Sequence, residues 1–558
     1  LFRSLTEENL KTYLQTLPAN AIARIETITN PSAKYATDAE AVINIVTSAH
    51  IKSNQFISFG VNGSNQPFVS PWVSYMWKKE KLSINVFGSG RYSSRDNMVD
   101  SWSQQRRDAT TATEDEYEVT WADTISQTDK NSSYSGNVFL NIGYEIDSMS
   151  DISFNAGGFY NANINDMLRN ERQTYYYLDS MPVYSMLYAD QTHNNSDMRS
   201  LFAHAGADYT KKFDNEGHNL RIGLNTRINN NSGEEFYNRI YDIYTDLDEH
   251  RYMLSRANTY GGALDARYNR PYSKDGELSY GLRADFQQAD NTYDRYNDTI
   301  GVLVDTLRTY RMKGQEAGLN ADVNWTHRWG GFTLSTGLGL EGERNMYDFI
   351  SDMPFADDSV YYHLHLRPSI HLTYRTESMH NWKLNYSMRM SAPSRSQISS
   401  FRSYGENSYT VGNPNGLKDS FTHNMEAGWQ KFFERFGNIG IEAYGRLSTN
   451  EISSLTDAEY DDYLDRIVSY SMPYNMGTSW RYGTSLNMTY RPSGFFNVRL
   501  YANLYDYGYR MEYDRVDEFG NIEHKLTENE KLSWSVRVNA WAKLFDRLQV
   551  TASANYNS

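Results

Sequence analysis

The sequence predicts an all-β membrane protein: a large antiparallel transmembrane β-barrel preceded by a small α/β unit. Three observations carry this. Alternating apolar and polar residues recur in segments of about nine to eleven, the length of a tilted strand that crosses a bilayer. Short polar turns separate pairs of such segments at intervals of about fifty to seventy residues, as in a barrel with tight turns at one end. The other connections are long and rich in Asp, Asn, Ser and Tyr, as in 234–249, 291–309 and 451–474.

Composition narrows the function classes. The 558 residues include 54 Lys+Arg against 69 Asp+Glu, for a net charge of −15. No apolar run approaches the roughly 18 residues of a spanning helix. The 45 Tyr, 24 Phe and 11 Trp are too many for a disordered chain. The absence of Cys excludes a disulfide framework, a Cys-ligated zinc site and thiol catalysis. The acidic balance argues against a nucleic-acid partner. The chain opens on Leu1 with no basic segment leading into an apolar one, so a trimmed or partial chain is expected.

Residues 1–50 read as their own unit. Thr6 can cap a helix whose apolar positions Leu10, Tyr13, Leu14 and Leu17 fall on one face, and Pro18 stops it. Two short apolar segments follow, at 22–28 and 42–46, with the turn residues Asn30, Pro31 and Ser32 between them.

From residue 51 onward the period is two. Val138, Leu140, Ile142 and Tyr144 alternate with Asn141 and Glu145. Leu278, Tyr280, Leu282, Ala284 and Phe286 alternate with Ser279, Arg283, Asp285 and Gln287. Tyr362, Leu364, Leu366, Ile370 and Leu372 alternate with His363, His365, Arg367 and His371, and Trp534, Val536 and Val538 with Ser535 and Arg537. One face in two is apolar, which suits a wall with lipid outside and a wet interior. A propeller blade would need four short strands per period, where this spacing holds two long ones. Short turns near 79–80, 147–151, 214–217, 273–276, 329–331, 376–380, 435–438, 492–494 and 546–547 join eighteen strands, and one more precedes the first, giving nineteen. Single-chain bacterial barrels have even counts, so strands beyond Ser558 are expected.

Two motifs carry a family resemblance. Residues 25–35 read Ile-Glu-Thr-Ile-Thr-Asn-Pro-Ser-Ala-Lys-Tyr, with Asn30, Pro31, Ser32, Lys34 and Tyr35 as the distinctive positions, followed by Val42-Ile43-Asn44-Ile45-Val46. Val411-Gly412-Asn413-Pro414-Asn415-Gly416-Leu417 precedes Asn424-Met425-Glu426-Ala427-Gly428-Trp429. The first resembles the end of the plug domain of TonB-dependent outer-membrane receptors, in the branch common in Bacteroidota, and the second resembles a segment of the same family's barrel. The resemblance implies a plug remnant at 1–50 and a barrel at 51–558, of 22 strands in the full protein. It implies import of a large or scarce solute (siderophore, glycan or peptide) across the outer membrane of a Gram-negative bacterium. The implied partners are outer-membrane lipid, the TonB complex and a SusD-like surface lipoprotein or other envelope proteins. Where the family has a glycine-containing turn, residues 36–45 have no glycine. This departure motivates an alternative: a non-transporting scaffold subunit of an outer-membrane assembly. A soluble carbohydrate-binding β-protein is a third reading.

Other motifs have plainer readings. Gly337, Gly339 and Gly342 match GxGxxG, but they fall inside an alternating strand with no helix after it, so small residues on a wall explain them. His363 and His365, with His371, share a face and could chelate a metal, or could simply be polar lumenal residues. Asp457, Glu459, Asp461, Asp462 and Asp465 crowd one connection with Tyr460 and Tyr463 and could hold Ca²⁺ or a ligand, without matching the EF-hand spacing. Arg221, Arg227, Arg283, Arg367, Arg389 and Arg537 are lumenal candidates, either guiding anions or pairing with Asp285, Glu341 and plug carboxylates. No nucleophile sits beside a base in a recognisable motif, so no enzyme and no resident cofactor are expected.

Overall fold

The computed structural model describes residues 22–28, 42–47 and 53–558, apart from positions 66, 109–116, 177–183, 243–247, 299–302, 353–357, 400, 406–407, 415, 434–435, 517–521 and 545–547. Strands β1 (Ile22–Ile28) and β2 (Val42–Thr47) pair antiparallel, with Ile25 opposite Ile45 and Glu26 opposite Asn44. The helix expected at 6–17 and the motif residues Asn30, Pro31, Ser32, Lys34 and Tyr35 lie outside the described residues.

All other strands belong to one sheet. Its first part is β3 (Ser53–Ser64), β4 (Phe68–Lys79), β5 (Leu82–Asp108), β6 (Tyr117–Asp147), β7 (Ser150–Tyr176), β8 (Tyr184–Lys212) and β9 (Asn219–Tyr241). Next come β10 (Glu249–Ser273), β11 (Gly276–Tyr296), β12 (Tyr310–Trp329), β13 (Phe332–Ile350), β14 (Asp358–Arg375) and β15 (His380–Ser391). The last part is β16 (Ser403–Tyr404), β17 (Ser408–Thr410), β18 (Ser420–Phe433), β19 (Gly437–Asp461), β20 (Arg466–Ser493), β21 (Phe496–Val516), β22 (Ile522–Leu544) and β23 (Leu548–Asn557). The order is that of a barrel wall, each long strand running antiparallel to the next. No ladder joins β23 to β3 among the described residues, so these two are the outer strands of the sheet.

The sheet has 21 strands where the turn spacing predicts nineteen. The two additional strands, β16 and β17, have two and three residues and form a hairpin inside the connection from β15 to β18. Segments that short show no periodicity. The long strands also exceed the expected nine to eleven residues: β6 has 31, β8 has 29 and β20 has 28. Most of 451–474, read as a polar loop, is the ladder of β19 with β20. Outside a bilayer both faces of a strand can meet water, so the apolar alternation fades while the backbone ladder continues.

The alternation itself is realised side chain by side chain. On β14, Tyr362, Leu364, Leu366 and Ile370 are exposed on the apolar face, Leu364 by 68%. On the opposite face of the same strand, His363, Arg367 and Ser369 are buried, Arg367 to 5% exposure. An apolar outer face and a polar inner face are what lipid and a wet lumen require. Near the short turns the outer face carries aromatic pairs: Phe332 on Tyr374 with ring centres 3.9 Å apart, Trp382 with Trp429 at 6.1 Å, and Phe436 with Tyr490 at 6.4 Å. They form the interfacial girdle expected at one membrane surface.

Candidate functional site

The site is the inner face of the wall and the segment that folds against it. Residues 392–419, between β15 and β18, turn inward. Ile398 and Leu417 are buried against Met312 of β12 and Tyr347 of β13, with Phe349, Tyr361 and Ile452 packed around them. The segment thereby touches strands from β12 to β19, which places those strands on one concave surface. A second cluster joins Tyr404 and Tyr409 of the β16–β17 hairpin to Val468 of β20. Strand β17 also pairs with β20 in parallel, Ser408 to Thr410 lying beside Ser469 to Ser471.

Polar contacts fix the same segment. Arg395 and Tyr347 both donate to Glu316 Oε1, at 2.7 and 2.8 Å, and the Arg395 guanidinium lies 5.0 Å above the Tyr347 ring. Tyr361 donates to Asp419 Oδ1 at 2.8 Å, while His365 Nε2 bonds Asp419 Oδ2. Arg308 donates to the Gly405 carbonyl at 2.6 Å. Gly412 packs so tightly that an added Cβ would lie 2.3 Å from the Ser399 carbonyl oxygen, and its amide donates to that oxygen at 2.7 Å. Glycine is required by that close approach.

The acidic residues of 457–465 take part in this docking. Asp457, Glu459 and Asp461 fall at alternate positions of β19, and Asp461 is 1% exposed. Asp461 accepts from Tyr404 at 2.7 Å and from the amides of Tyr463 and Leu464 at 2.9 and 3.0 Å, with Arg402 at 3.4 Å. Burial pushes the Asp461 carboxyl up, but these hydrogen bonds and the Arg402 charge outweigh it and hold it below the usual carboxylate range. The same contact and its burial push the Tyr404 phenol up to about 12. Glu459 accepts from Tyr409, and Asp465 from Tyr460. Asp462 lies in the turn at the hairpin tip.

Three of these carboxylates thus lie along a strand rather than in a connection, and two of them fasten tyrosines of a neighbouring segment. Of the His pair, His365 bonds Asp419, whereas neither ring nitrogen of His363 has a hydrogen-bond partner among the described residues. The rings of His363 and His365 stack 5.9 Å apart, with His365 on Asp419 and His363 Nε2 3.6 Å from Glu343, beyond hydrogen-bonding distance. Among the described residues no group of three or more His, Asp or Glu is placed to hold a metal ion.

Several of the candidate lumenal arginines sit beside carboxylates of the wall: Arg221 with Asp208 at 2.7 Å, Arg283 with Asp285 at 3.4 Å and Arg367 with Glu341 at 2.9 Å. Arg227 bonds Gln287. Gly337 and Gly339 lie in β13, where a Cβ on Gly337 would meet Asn324 Oδ1 at 2.4 Å, so the glycine pattern serves wall packing. Arg395, Ile398 and Asp419 were not singled out from sequence. The nearest signal was the motif at 411–417, which proves to lie within this docked segment.

A wide antiparallel wall with an apolar outer band, an aromatic girdle and an ion-paired inner face defines a membrane β-barrel. The chain belongs to the outer membrane protein β-barrel family, whose sequence profile matches residues 211–558. No curated protein sequence matches it. Among solved structures it is similar to the FrpB iron transporter from Neisseria meningitidis, at 11% identity and a TM-score of 0.52 over 95% of this chain and 82% of that one. It is also similar to a double mutant of the Serratia marcescens hemophore receptor HasR in complex with its hemophore HasA and heme, at 12% identity and 0.56 over 96% and 78%. A third is the siderophore receptor PiuA from Acinetobacter baumannii, at 10% identity and 0.53 over 97% and 77%. At these identities the likeness is one of fold.

Proposed function

We propose that the protein is a TonB-dependent receptor-type transporter that imports a large or scarce solute through a plugged outer-membrane barrel. The observation that carries this is the docked 392–419 segment lying against a charged, polar inner wall. A purely structural wall has no need of a hydrated interior narrowed by one of its own connections, whereas a selective path does. The similar solved structures, named as transporters and receptors for iron, heme and siderophores, support the same direction. On this reading residues 1–50 are the end of a plug, the natural barrel reaches 22 strands, and the source is a Gram-negative bacterium of the Bacteroidota. Energy comes from the TonB complex, and a SusD-like lipoprotein covers the mouth. The reaction is translocation without covalent chemistry.

The test is gentle extraction of the full-length protein from outer membranes, followed by identification of what co-purifies, and uptake assays after deletion of residues 1–50. A lid lipoprotein, a bound solute and loss of energised uptake with a leaky pore are expected. Unchanged uptake after the deletion would overturn the reading. Several stoichiometric envelope proteins with no solute would favour the scaffold alternative.

A further inference from the structure

The outer face of the wall changes character in tiers along β8 to β12. Nearer the short turns it is apolar: Leu201, Leu224, Ile228, Tyr260, Leu264 and Phe286 point outward and are exposed, Leu264 by 54%. Such a surface faces lipid. Four residues beyond Tyr260 on the same face of β10 stands Arg256, and four beyond that Tyr252. At about 3.3 Å per residue and a tilt near 40°, each step of four rises about 10 Å. Both residues therefore stand past the exposed apolar tier, toward the end of the wall away from the short turns.

Register turns each of these positions into a row. Arg199 of β8 and Arg256 of β10 both lie opposite Ser232 of β9, and Arg256 and Arg311 of β12 both lie opposite Thr292 of β11. Three exposed arginines thus occupy every second strand of one row, with hydroxyl residues between them. Arg199 pairs with Asp197 at 2.6 Å and Arg311 with Asp290, while Arg256 at the centre has no hydrogen bond or ion pair among the described residues. Asp294, the next outward residue on β11, adds a negative charge at the edge of the row. The second row is aromatic. Phe236, Tyr252 and Tyr296 lie side by side on β9, β10 and β11, half-buried and stacked, with ring centres 4.6 and 5.8 Å apart. Tyr252 donates to Glu234 at 2.8 Å, which fixes its ring in the stack. On β21 and β22 the outward positions past Leu504 and Leu532 are Asp506, Glu528 and Glu530 against one arginine, Arg510. The arginine row is therefore not a feature of the whole circumference.

We propose that this strip of outer wall is a binding site for a phosphorylated glycolipid of the outer leaflet, with acyl chains on the apolar tier, phosphate on the arginine row and sugar rings on the aromatic stack. The lowest tier is continuous with the lipid-facing surface, so the occupant is a membrane lipid rather than a dissolved solute. A guanidinium offers paired N–H donors that match a phosphate, and Arg256 has all of its donors available. The aromatic rings receive the apolar C–H faces of sugars, while the phenol oxygens and Glu234 bond sugar hydroxyls. A phospholipid would leave the aromatic stack unused, and a neutral glycolipid would leave Arg256 unused. The site lies on the outside of the wall and is independent of what the barrel carries.

The test is native mass spectrometry of the full-length protein in detergent, titrated separately with three lipids. They are a lipopolysaccharide truncated to its first sugars, the same lipid after enzymatic dephosphorylation, and phosphatidylglycerol. The intact lipopolysaccharide should bind at least about tenfold more tightly than either of the others. R199Q/R256Q should weaken it by about tenfold and leave the dephosphorylated form unchanged. Y252A/Y296A should weaken both sugar-bearing lipids and leave phosphatidylglycerol unchanged. R256K should retain more of the affinity than R256Q, and D294N should raise it. Heat-modifiable migration on gels shows that each variant is folded, and R256Q alone, which breaks no ion pair, carries the test if the double variant is not. Equal binding of lipopolysaccharide and phosphatidylglycerol, or indifference to R256Q in a folded barrel, overturns the proposal. So does an equal loss on R510Q, which would assign the binding to general charge rather than to this strip.

Discussion

Tyr404 donates its phenol proton to Asp461 at 2.7 Å across 57 positions of sequence. One residue belongs to the small hairpin after β15 and the other to the end of β19, so this bond ties two connections of the wall into one body. Asp461 also accepts two backbone amides from its own turn and faces Arg402, so its removal strands several groups at once. Asp461→Ala should cost the docked segment about 1–3 kcal/mol, and Tyr404→Phe less, because only one of the hydrogen bonds is lost. Limited proteolysis within 392–419 should accelerate in that order while the barrel remains folded.

The same pair sets a pH window. The Asp461 carboxyl is held below its ordinary range when folded, so its contribution is present above the unfolded value of about 3.9 and is lost as pH falls through the lower folded value. The Tyr404 phenol is pushed up to about 12, so its contribution is complete below about pH 10 and lost as pH rises toward 12. Hydrogen exchange of the segment amides should therefore show steady protection from about pH 5 to 9 after correction for intrinsic rates. Loss of docking near neutrality would contradict this.

Gly412→Ala should undock the segment, because the added methyl would lie 2.3 Å from the Ser399 carbonyl oxygen. Overpacking of this kind costs about 1–3 kcal/mol. Intact tight turns and wall ladders, with faster cleavage at 392–419, are the expected signature.

Arg395 and Tyr347 share one oxygen of Glu316. A double-mutant cycle on Arg395 and Glu316, read from segment protection, should give a coupling of about 0.5–3 kcal/mol, since groups in one network are not additive. Additive effects would show that the two side chains act separately.

Leu338 faces outward at 51% exposure, about six residues from the short turn before β13. Leu338→Arg should destabilise insertion by about 2–4 kcal/mol, the cost of a cation near the bilayer midplane. Leu338→Ala, which keeps the same outward position apolar, should be far milder. Heat-modifiability on gels separates the two.

The wall was legible in the sequence because lipid on one side and water on the other impose a strict period of two, as at Tyr362 to Leu372. The docked segment was not. Ile398 and Leu417 are isolated apolar residues in a polar stretch, and their burial depends on Met312 and Tyr347, far away in the chain. The docking role of Glu459 and Asp461 depends on Tyr409 and Tyr404, 50 and 57 positions earlier, and the acidic spacing by itself carries no sign of those partners.

The long strands reach well beyond the bilayer. At about 3.3 Å per residue and a tilt near 40°, a strand of 31 residues such as β6 rises on the order of 75 Å, against an apolar band of about 25 Å. Much of the remainder stands outside the bilayer as a hydrogen-bonded collar. Backbone in this collar is already ordered by its ladders, so a contact made there consumes little free energy in arresting loose chain.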